Sequence, residues 1–106
     1  MINIGQYSRN ASFALTGGSS DKISEFKVGC QRAVIIITNA NAAGGASVWL
    51  AVGAEAGANK GIQLAAGQFI NFSMDSGYKP SNDAWHAYAA AAGSTLVIYE
   101  EILTRD

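Results

Sequence analysis

At 106 residues the chain is the size of one domain and too short for two separate cores. Seven basic and eight acidic residues leave a net charge of −1 with no basic run, which argues against nucleic-acid phosphate as a partner. Charged residues make up 14% and apolar residues 49%, so little charge stands between this surface and a neighbouring protein's.

The chain is expected to form about eight short strands. Met1 to Ser8 carries Ile2, Ile4 and Tyr7 among polar residues. It reads either as an edge strand or as an arm, over roughly residues 1–10, that docks on a neighbour. Ala11 to Thr16 alternates, with Phe13 and Leu15 on one face, and stops at the turn signal Gly17-Gly18-Ser19-Ser20. Lys22 to Val28 alternates with a slip between Ile23 and Phe26, which suggests a bulge. Ala33 to Thr38 holds four successive β-branched residues, Val34-Ile35-Ile36-Ile37. Such a run disfavours helix and suits a strand covered on both faces.

Asn39 to Ala46 is a loop of small residues. Ser47 to Val52 then places Val48, Leu50 and Val52 inward and Trp49 outward. Gly53 to Gly61 is a second loop, followed by the short strand Ile62-Gln63-Leu64. Gln68 to Met74 puts Ile70, Phe72 and Met74 on one face and Phe69, Asn71 and Ser73 on the other. Two turn-rich pieces, Asp75-Ser76-Gly77 and Lys79 to Asp83, follow. Ala84 to Ala92 is helical by propensity, but its neighbours are all strands. As a strand it would set Trp85, Ala87 and Ala89 against His86 and Tyr88, and we expect strand. The last strand, Ser94 to Ile102, opposes Leu96 and Ile98 to Val97 and Tyr99. Strands at about ten-residue spacing predict a single all-β domain, a sandwich or barrel.

Few residues could carry chemistry. Cys30 is the sole cysteine, which excludes an intrachain disulfide and a multi-thiolate metal site, and a buried or half-buried thiol is expected. His86 is the sole histidine and has no nucleophile elbow beside it. Glu100 and Glu101 are adjacent, so on a strand they point to opposite faces and cannot flank one glycosidic bond. Asp75 and Asp83 sit in turns and do not fit a calcium loop, and no zinc set can be assembled. No enzyme, metal or cofactor is expected. The start of the chain has no basic region followed by an apolar run, and no segment approaches about 18 apolar residues. Export and membrane insertion are therefore not expected, and the two glycosylation sequons, at Asn10 and Asn71, read as chance matches. Trp49 and Trp85 are candidates for core, for interface anchors, or for a sugar-stacking platform.

Four pieces between Arg32 and Ile102 carry a likeness to a known family. They are VIIITNANAAG, then VWLAVGAEA, then GIQLAAGQFINF, and last an Ala-rich strand leading through Gly93-Ser94-Thr95 into LVIYEE. Their order resembles small β proteins on the virions of tailed double-stranded DNA phages, namely head decoration (cement) proteins and related capsid-associated or fibre-base modules. The resemblance implies a jelly-roll-like β-sandwich, often trimeric. Such a protein sits on the capsid surface between major capsid subunits, reinforces the shell and is made in the host cytoplasm. It implies no catalytic residues and no cofactor. The partners it implies are further copies of the chain and the major capsid protein. On that reading Ile2, Ile4, Tyr7, Trp49, Phe69 and Trp85 are the candidate interface residues. The rival is a trimeric receptor- or glycan-binding module of a phage tail or fibre.

Overall fold

The computed structural model describes residues 4–25, 29–74 and 80–105 of the chain. Side chains at positions 4–6, 104 and 105 lie outside the description, as do Ile2, Phe26, Val28, Asp75, Ser76, Gly77 and Lys79.

Eight strands follow one another: β1 Ile4–Ala14, β2 Ser20–Ser24, β3 Cys30–Asn39, β4 Val48–Val52, β5 Ile62–Leu64, β6 Phe69–Ser73, β7 Trp85–Tyr88 and β8 Thr95–Arg105. They form two four-stranded antiparallel sheets, ordered β1-β8-β3-β6 and β2-β7-β4-β5. We call these sheet A and sheet B.

The order has a simple origin. β4 pairs with β5, β3 with β6, β2 with β7 and β1 with β8, as in one long hairpin whose tip is the β4–β5 turn. That hairpin is rolled up so that β3 also pairs with β8 and β4 with β7. The result is the jelly-roll sandwich, two sheets packed face to face.

The core lies between the sheets. Sheet A contributes Ile35, Ile37, Leu96 and Ile98, and sheet B contributes Ile23, Val48, Leu50, Leu64, Trp85 and Ala87, all buried. These are alternate residues of their strands, as the period of two demands. Phe72 of sheet A meets Trp85 of sheet B with ring centroids 5.9 Å apart. Turn chemistry fixes the ends of strands. Gly61 sits at φ +80°, and a Cβ there would lie 2.0 Å from the carbonyl oxygen of Leu50, so only glycine lets the chain turn back against β4.

Several segments differ from the sequence expectation. β1 is one strand of 11 residues, running from Ile4 through the first segment and Ala11 to Ala14 of the alternating piece, with Leu15 and Thr16 beyond its end. The slip near Ile23 is real: the β2–β7 register shifts between Lys22 and Ser24. Ala84 to Ala92 is strand where it is regular, because Trp85 and Ala87 find a buried face between the sheets, and packing overrides alanine's helix propensity. Met74 lies beyond the end of β6 and is exposed, instead of joining Ile70 and Phe72 on the inner face. The Val34-to-Ile37 run is covered on one side only. Ile35 and Ile37 are buried, whereas Val34 and Ile36 lie half-exposed on the outer face of sheet A.

Candidate interaction surfaces

The densest chemistry in the molecule is inside it. β8 directs Leu96, Ile98, Glu100 and Ile102 inward, so a carboxylate occupies a core position and is fully buried. Arg32 of β3 meets it with Nε 2.7 Å from Glu100 Oε2. The hydroxyl of Ser24 donates to the same oxygen at 2.8 Å, and Arg9 Nη1 of β1 donates to Oε1 at 2.6 Å.

Arg32 uses all five of its N–H groups. Nη1 donates to the carbonyls of Ser81 and Asp83, and Nη2 to Ser24 Oγ and the carbonyl of Glu25. Burial pushes the Glu100 carboxyl up, but hydrogen bonds from Arg32, Ser24 and Arg9 outweigh it and hold the group below the ordinary glutamate value. A hollow of about 270 Å³ opens beside this network between β1 and β2, with Arg9, Phe13, Ser24 and Glu100 among its walls. Both oxygens of the Glu100 carboxylate accept hydrogen bonds, Oε1 from Arg9 and Oε2 from Ser24 and Arg32. The network ties β1, β3 and β8 to β2 and to the segment before β7.

A second polar staple explains the Thr-Asn-Ala piece. Asn39, fully buried at the end of β3, donates from Nδ2 to the carbonyls of Ala46 and Leu64 at 3.0 and 2.9 Å, and its Oδ1 accepts from the Asn41 amide. Asn41 in turn donates to the Ala46 carbonyl and accepts from the Thr95 amide. The loop after β3 is thereby fastened to both sheets.

The outer faces are different in kind. On sheet A the cross-strand rows run Ser12–Val97–Thr38–Phe69 and Asn10–Tyr99–Ile36–Asn71. The next row places Glu101 between Ser8 and Val34, and Glu101 is the single charge in these three rows. Phe69 is 64% exposed and Val97 41%. Aliphatic and aromatic side chains thus run across the middle of a sheet face on which, among the described residues, Phe69 and Val97 stay exposed.

On sheet B, Trp49 lies between Tyr88 and Gln63 on the outer face, with Ser20 beyond Tyr88. The Trp49 and Tyr88 ring centroids are 6.3 Å apart at an interplanar angle of 55°. Lys22, His86 and Ala51 form the adjoining row.

The residues singled out in the sequence fall in different places. Trp49 and Phe69 are on outer faces of opposite sheets. Tyr7 is 37% exposed near the start of β1, and Ile4 opens that strand. Trp85 is 1% exposed and belongs to the core, so it is no surface anchor; the core reading of that residue prevails. Cys30 opens β3 as a half-buried free thiol. Among the described residues no group of three or more His, Cys, Asp or Glu could hold a metal ion.

No family model matches the sequence, and no curated protein matches it. A solved structure of Bacillus endospore appendages, which form a family of disulfide-linked pili, is similar to this chain with a TM-score of 0.67. The match covers 98% of this chain and 89% of that one at 14% sequence identity, which shows a shared fold.

Proposed function

We propose that the protein is a non-enzymatic structural subunit that works by packing uncharged β surfaces against other protein subunits. The observation that carries this reading is the outer face of sheet A, where Phe69 and Val97 are exposed and Val34 and Ile36 half-exposed, with Glu101 as the one charge in three rows. A β-branched run of this kind ordinarily marks a strand buried on both sides, and a neighbouring subunit would supply the second cover. Within that class we assign it to the head of a tailed phage, as a decoration protein seated between major capsid subunits. The four sequence pieces from Arg32 to Ile102 support that setting. The pilus structure supports the broader part of the reading, in that a jelly roll of this shape serves there in a repeating assembly.

Co-sedimentation with heads lacking the protein tests the proposal. Wild-type protein should bind, and Ile36→Lys, which alters the outer face and leaves the inner core alone, should lose at least tenfold in occupancy. Equal occupancy of the two would count against the reading.

The outer face of sheet B favours a second reading, a glycan-binding module. Trp49 and Tyr88 form an aromatic platform bordered by Gln63, His86 and Ser20, the polar rim that sugar stacking requires. Binding on a glycan array that disappears in Trp49→Ala would favour it over capsid attachment.

A further inference from the structure

We propose that β1 is the self-association edge of this protein, pairing antiparallel with β1 of a second copy about a two-fold axis to continue sheet A across both molecules. The inference deepens the assembly reading above, on which it rests, by naming one partner and one contact.

Unprotected sheet edges are templates for pairing, and proteins blunt them with short strands, bulges, prolines or charged side chains, inward-pointing ones included. Three of the four edges in this sandwich are short. β5 has three residues, β6 has five, and β2 has five with a register shift and two charges, Asp21 and Lys22. β1 has one of these devices at most, the inward-pointing Arg9. It runs 11 residues, keeps register with β8 from Ile4 to Ala14 without a bulge, and contains no proline. Its one charge, Arg9, is turned inward onto Glu100, with Nη2 3.2 Å from the Ile23 carbonyl. The pairing with Glu100 neutralises that charge, so the edge carries no unpaired one.

The sequence of β1 also selects a register. A two-fold axis perpendicular to the sheet keeps inward residues opposite inward residues, so only registers centred on a residue are allowed. Centring on Arg9 would oppose two guanidinium groups, which is unfavourable. Centring on Asn10 sets Tyr7 across from Phe13, Arg9 across from Ala11 and Ser8 across from Ser12. It pairs nine residues of each strand, from Gln6 to Ala14. Aromatic meets aromatic on one side of the ribbon, and hydroxyl meets hydroxyl on the other. The contact is two-fold and so differs from the three-fold association implied by the sequence resemblance.

Native mass of the full chain tests this. Wild-type protein at tens of micromolar should be a dimer of the 11.0 kDa chain. Ser8 and Ser12 are exposed on the outer face, so the pair can be recharged without touching the core. Ser8→Lys with Ser12→Lys places like charges opposite each other twice and should weaken the dimer at least tenfold. Ser8→Lys with Ser12→Glu places opposite charges there and should restore it. A wild-type monomer or trimer, or two double variants that dimerise equally well, would overturn the register and the contact. A monomer that still decorates heads sinks this inference and leaves the proposed function standing. A dimer that ignores heads does the reverse.

Discussion

Arg32 and Glu100, 68 positions apart in sequence, meet at 2.7 Å between the two sheets and leave no donor of the guanidinium unused. Removing one partner of a buried pair leaves the other as an uncompensated charge, at a cost of about 3–5 kcal/mol. Arg32→Met should therefore take away a large part of the roughly 5–15 kcal/mol that holds a domain together. Chemical denaturation should show the midpoint falling sharply, with little change in slope. Arg9→Ala should cost much less, because the Arg9 side chain is one-third exposed and water can replace it.

Acid should unfold the protein through the same carboxylate. Glu100 has its folded-state pKa lowered, so its contribution to stability is present above the unfolded value, about 4.3, and is lost as pH falls through the folded one. Thermal melts between pH 7 and pH 5 should therefore nearly coincide, and those below about pH 4 should fall steeply. Glu100→Gln, destabilised throughout, should show a flatter acid limb. A variant as acid-sensitive as the wild type would move the effect to other carboxylates.

The two tryptophans should separate cleanly. Trp85→Ala empties the space against Phe72 and should cost about 3–5 kcal/mol. Trp49→Ala, on the outer face of sheet B, should change unfolding free energy by under about 1 kcal/mol. Paired denaturation curves check this, and similar losses for both would contradict the placement of Trp49.

Asn39 offers a test of the loop after β3. Asn39→Ala leaves the Leu64 carbonyl without its donor and should destabilise by about 1–3 kcal/mol. Asn39→Asp should be worse, because a carboxylate set against two carbonyls repels them and can donate to neither. Hydrogen exchange of the Asn41 and Thr95 amides should quicken in Asn39→Ala, which removes the acceptor of the Asn41 amide, and protection unchanged from wild type would dissociate the staple from the loop.

Alternation along the chain gave most of the strands directly. Leu96 and Ile98 opposite Val97 and Tyr99, Val48 and Leu50 opposite Trp49, and Ile70 and Phe72 opposite Phe69 all sit as the period of two requires. Even the bulge at Ile23 shows in the sequence as a slip in the pattern. What local pattern could not reveal is the ion network, because Arg9, Ser24 and Arg32 reach Glu100 across 91, 76 and 68 positions. The available signal was parity. Glu100 continues the inward series Leu96–Ile98, and a charge in such a series needs a buried partner. The Val34-to-Ile37 run misled in the opposite sense, since periodicity registers that a strand is apolar on both sides and not what covers it.

Because β8 lies between β1 and β3, sheet A has a gap at its centre until residues 95–105 are available. A chain still emerging from the ribosome can close the β4–β5 turn early, yet β1 has no strand to lie against until residues 95–105 have been made. Deletion of residues 95–105 should therefore abolish the folded product altogether, and not merely shorten a sheet.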